Sequence, residues 1–136
     1  MKRFMMMMGA FLLTGQAHLM ATSSYSNAVT AGDFLYVSGQ FPIDPSTGQI
    51  STGDMQTLTN LALDQVQHWL RQKGLTMSQV IKTEVYLTDI RDYDAMDAAY
   101  AERFNFQYPP ARDVIAVSSL LNNSRIEISC VAYKNR

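Results

Sequence analysis

The chain has 136 residues, a size that suits one domain around one core. A hydrophobic share of 47% excludes a disordered chain, and a net charge of −1 without a basic run or acidic tail gives no electrostatic footprint for nucleic acid or a membrane surface. The single cysteine excludes an internal disulfide, and with two histidines it leaves no metal-ligand spacing.

The N-terminal stretch MKRFMMMMGAFLLTGQAHLMA has two basic residues, an apolar run from Phe4 to Leu13, and a polar segment over residues 14–17. That is the order of a secretory signal peptide, and small residues at Gly15 and Ala17 suit cleavage after Ala17. The apolar run is too short to span a membrane. A buried first strand, a disordered extension and a start at Met20 are the competing readings. Residues 1–21 are therefore set apart as signal peptide or extension, and residues 22–136 are read as the folded domain. Cleavage would place the protein in the periplasm or outside the cell; without it the expected compartment is the cytoplasm.

Residues 26–29 read as a short strand, Ala31-Gly32-Asp33 as a turn, and FLYVSG from Phe34 as a second strand, which together predict a hairpin. Residues 44–49, DPSTGQ, form a loop. Asp54 then serves as the N-cap of a helix with Leu58, Leu61, Ala62, Val66, Trp69 and Leu70 at helical spacing, stopped at Gly74. Residues 80–87 form a strand with Ile81, Thr83, Val85 and Leu87 on one face. A second helix begins near Asp92 with the stripe Tyr93, Met96, Ala99, Tyr100 and Phe104. Residues 113–120 and 125–133 are the last two strands, turning at Asn122-Asn123 as a second hairpin. The order β-β-α-β-α-β-β implies an α+β fold: a mixed sheet with two helices on one face. The other face is solvated or covered by further subunits, and strands as apolar as DVIAV favour subunits.

Two charges stand out. The last strand alternates, so Ile126, Ile128, Cys130 and Ala132 face one way and Glu127, Ser129, Val131 and Tyr133 the other. Glu127 then falls on the helix-free face, either as a carboxylate that activates water or as a partner of Arg125. Arg112 follows Pro109-Pro110, whose rings limit the backbone, and its planar fork suits a carboxylate. A hairpin at Asn122-Asn123 would pair Arg112 near Tyr133 and Glu127 near Ser118, about 20 Å apart along the strands. The two would not neutralise each other, so the expected partner of Arg112 is an anion from outside its own hairpin. Cys130 reads as a buried structural thiol, and His68 as a partly exposed helix side chain.

The segments SYSNAVTAGDFLYVSGQFPIDPSTGQI, YPPAR and RIEISCVAY, in that order, resemble the RidA (YjgF) family of enamine/imine deaminases over about residues 24–133. The resemblance implies a chorismate-mutase-like fold and a homotrimer with sites between subunits. It implies hydrolysis of 2-imino acids such as 2-iminobutanoate and 2-iminopropanoate to 2-keto acids and ammonia, with no metal and no cofactor. It maps carboxylate binding onto Arg112, water positioning onto Glu127, and the cleft lining onto Tyr25 and Ser38. Val114 stands where many members have cysteine, and Ser23-Ser24-Tyr25 replaces a Gly-Pro-Tyr. The competing functions are a trimeric binder of small carboxylates, which needs only the arginine, and an RNA-acting protein, which the near-neutral charge disfavours.

Overall fold

Alternation of apolar residues builds the central layer. In the computed structural model, which describes residues 23–136, five strands form one sheet: β1 (Ala28–Ala31), β2 (Phe34–Gln40), β3 (Val80–Leu87), β4 (Ala111–Ala116) and β5 (Ile126–Tyr133). Their spatial order is β1-β2-β5-β3-β4. Two helices, α1 (Met55–Gln72) and α2 (Tyr93–Arg103), cover one face. The first hairpin forms, two residues later than the sequence reading placed its first strand: Ala31 belongs to β1 opposite Phe34, and Gly32 at φ 58° is in the turn. A left-handed residue there is cheapest as glycine.

The second hairpin does not form. β4 pairs with β3 in parallel, while β5 runs antiparallel between β2 and β3. The reason is the helix between β3 and β4, because a strand–helix–strand crossover returns the chain in the same direction and favours parallel pairing. Asn122 and Asn123 do turn, both at positive φ, but they redirect the chain to the middle of the sheet. The pairing of Arg112 with Tyr133 and of Glu127 with Ser118 is thereby replaced. Arg112 lies level with Thr83 on β3, and Glu127 level with Tyr86. β5 is consequently an interior strand, and Ile126, Ile128, Cys130 and Ala132 are all buried, as its alternation predicts.

The helices sit where their apolar stripes require. Asp54 caps α1 by accepting from the Thr57 N–H at 2.9 Å, and such a cap is worth roughly 1 kcal/mol. Leu58, Ala62, Leu63, Val66 and Leu70 are buried against the sheet. α2 buries Met96, Ala99 and Tyr100, and the Tyr100 hydroxyl meets the Thr83 hydroxyl at 2.6 Å in the core. Arg103 bridges the two helices through Asp64 at 2.9 Å. No helix among the described residues is long and apolar enough to cross a membrane. The segment read as a signal peptide, with His18, lies outside the described residues.

Candidate active site

Three of the residues singled out in the sequence meet in one groove. Tyr25, Ser38 and Glu127 line it with Trp69, Phe41 and Leu121, around about 540 Å³ of open space. The local cause is a bulge. Val37 pairs with Cys130 but Gln40 pairs with Ile128, so β2 carries one extra residue at Ser38-Gly39. Bulges re-aim side chains at the edge of a site. Gly39 also leaves the space that Glu127 fills, since a Cβ there would lie 1.7 Å from Glu127 Oε1. No side chain other than glycine allows that approach.

Glu127 is half-buried and makes no ion pair among the described residues. The alternative of a pair with Arg125 fails, because Arg125 binds Asp92 at 2.8 Å and the Gly53 carbonyl at 2.9 Å. Burial raises the Glu127 pKa above the usual carboxylate range. Such a carboxylate is a stronger base than a solvated one and takes a proton more readily.

Arg112 is elsewhere. Its rung partner Thr83 is buried under the helices, whereas Tyr86, the rung partner of Glu127, belongs to the outward set of β3. Arg112 therefore lies on the helix side at the sheet edge, three positions along β3 from Glu127. Its guanidinium donates to Asp97 Oδ1 at 2.7 Å and to the Tyr93 hydroxyl at 3.0 Å, and rests 4.5 Å from the Tyr100 ring centre. The expectation of an arginine free of protein partners is corrected: α2 supplies a carboxylate that strand alternation alone does not reveal. A guanidinium has five N–H donors, so three remain for a ligand. Arg112 lines a separate pocket with Asp97, Tyr100, Pro109 and Pro110. Val114 is on the same side and packs against the core.

Sequence reading missed Gly39, Gln40, Trp69 and Asp97. Their roles depend on contacts between elements distant in the chain. The tripeptide Ser38-Gly39-Gln40 at a strand end was the available signal for two of them. Cys130 is buried as expected, and burial pushes its thiol up to about 12, which removes it as a nucleophile at neutral pH. His68 is exposed on α1. Among the described residues no group of three or more His, Cys, Asp or Glu side chains is placed to hold a metal.

The family model described as Endoribonuclease L-PSP matches residues 15–134. The chain belongs to this family, to which proteins named RidA, YjgF and RutC also belong. A RutC family protein of Pyrococcus horikoshii is 43% identical over 110 residues, covering 81% of this chain and 86% of that protein. The human 2-iminobutanoate/2-iminopropanoate deaminase is 37% identical over 114 residues, covering 84% of this chain and 82% of its own. Escherichia coli TdcF, solved with bound serine, superposes with a TM-score of 0.76 at 30% identity, covering 83% of this chain and 90% of that one. The α+β fold with its five-stranded mixed sheet is thus the fold of the RidA/YjgF family.

Proposed function

We propose that this member of the family hydrolyses reactive 2-imino acids, 2-iminobutanoate and 2-iminopropanoate, to 2-keto acids and ammonia, in a site that two subunits of a homotrimer complete. The observation that carries the reading is Glu127: a half-buried carboxylate without an ion pair, its pKa raised, held beside Tyr25 and Ser38 in an open groove. The similarity to the human deaminase supports the same chemistry.

The residues supply what the reaction needs. A 2-imino acid is already electrophilic at C2, so catalysis requires orientation, a placed water and proton transfer. The three remaining donors of Arg112 hold the substrate carboxylate, and Asp97 with Tyr93 keeps the guanidinium in one orientation. Glu127 accepts a proton from water as its oxygen bonds to C2. The C=N π electrons move to nitrogen, giving a carbinolamine. Glu127 hands that proton to the nitrogen, completing the neutral carbinolamine C(OH)NH2; it then carries the hydroxyl proton to the nitrogen as the C–N bond breaks, so ammonia leaves and the C–O bond becomes the keto group. No step draws on a cofactor.

The separation of Arg112 from Glu127 supports a shared site. They lie on opposite faces of one sheet, so one chain cannot bring both to one small substrate. The helix-free face also exposes Phe34, Tyr36 and Ile115, which suits coverage by other copies.

The test generates imine in situ with a threonine dehydratase and traps it with semicarbazide. The wild type is expected to lower the semicarbazone yield, and Arg112→Ala and Glu127→Ala to lose about 100-fold or more of that effect. No acceleration by the wild type would refute the deaminase reading. Binding of 2-keto acids without turnover would leave the alternative, a trimeric carboxylate-binding protein.

A further inference from the structure

Gln40 is a buried polar side chain (6% exposed) with all its hydrogen bonds inside the protein. Its Oε1 accepts from the Trp69 indole N–H at 3.1 Å. Its amide nitrogen donates to the Ser38 carbonyl at 3.0 Å and to the Ser38 hydroxyl oxygen at 3.3 Å. The indole fixes this orientation. An indole N–H only donates, so the oxygen of Gln40 must face it, and the NH2 group must face Ser38. The Ser38 hydroxyl is then an acceptor toward Gln40. Its own hydrogen has no acceptor among the described residues' hydrogen bonds, and Ser38 lines the groove beside Tyr25 and Glu127.

We infer that Trp69 and Gln40 are positioning residues that set the polarity of Ser38, so that its hydroxyl donates into the groove and the ligand atom above it is an acceptor. This rests on the deaminase reading for the identity of the ligand, a 2-imino or 2-keto acid, whose carboxylate, imine nitrogen and keto oxygen all accept. An alkylammonium group, which has no lone pair, does not satisfy that position. The relay couples α1 to the bulge of β2 across 29 residues of sequence.

The test is a double-mutant cycle read by calorimetric binding of 2-oxobutanoate, with imine hydrolysis measured in parallel. Gln40→Glu keeps an acceptor for Trp69 but turns an acceptor toward Ser38, reversing the hydroxyl. Ser38→Ala and Gln40→Glu are each expected to weaken binding about tenfold, the double variant no more than either, and Ser38→Thr to restore it. If Gln40→Glu does not fold, Trp69→Phe replaces it: it removes the donor, and its loss is expected only while Ser38 is present. Multiplying losses, as a merely structural Gln40 would give, or no loss, overturn the relay and leave the deaminase reading standing. Non-additive losses without imine hydrolysis uphold the relay and overturn that reading. Absence of 2-oxobutanoate binding by the wild type overturns the relay, while the imine hydrolysis measured in parallel decides the deaminase reading by itself.

Discussion

Glu127 sits where function and stability oppose each other. Burial raises its pKa, so between the unfolded and folded pKa values the folded chain holds more protons, and stability falls as pH rises through that window. At neutral pH the ionised carboxylate therefore costs the fold some stability. Glu127→Gln is expected to melt no lower than the wild type at pH 7 while losing imine hydrolysis. In the wild type, hydrolysis should fall as pH drops through a midpoint above the ordinary carboxylate range, and this acid limb should vanish in Glu127→Gln. A midpoint at or below that range would show that Glu127 is not the titrating base. Strand alternation made Glu127 legible in the sequence, because its face follows from a period of two. Asp97 was not legible as the partner of Arg112, since no local pattern tells which helix face crosses a strand 15 residues away.

At the scale of elements, the Ser38-Gly39 bulge brings β2 against Glu127 on β5. Gly39→Ala would place a methyl group inside the space of the carboxylate, so Glu127 must move out. The expected outcome is a folded protein, destabilised by about 1–3 kcal/mol in denaturant unfolding, with imine hydrolysis reduced to the level of Glu127→Ala. Retained activity would show that the close approach is dispensable. The strands and helices themselves followed largely from periodicity: β5 and the Thr83, Val85 and Leu87 positions of β3 are buried as alternation predicts, a register shift beside Ile81 buries Val80 in its place, and α1 starts at its Asp54 cap. The C-terminal pairing did not follow, because Asn122-Asn123 resembles a hairpin turn locally. The β3–α2–β4 crossover outweighs it by occupying the edge with a parallel partner. The conclusion that Arg112 and Glu127 are apart survives for a different reason, opposite faces rather than distance along a hairpin.

Across the whole molecule, the sheet divides the proposed chemistry into two halves. The carboxylate-holding half, Arg112 with Asp97 and Tyr93, belongs to the helix side of the β4 edge. The water-activating half, Glu127 with Tyr25 and Ser38, belongs to the groove at the β2 bulge. A site made of both requires two chains, and this is the central claim. It is tested most directly by complementation: Arg112→Ala and Glu127→Ala, each inactive alone, are unfolded, mixed in equal amounts and refolded together. In a cyclic trimer with one site per interface, about a quarter of the sites receive both wild-type residues, so imine hydrolysis should return to about a quarter of the wild-type rate. Recovery of none, with mixed oligomers demonstrated by mass, would contradict a site shared between subunits.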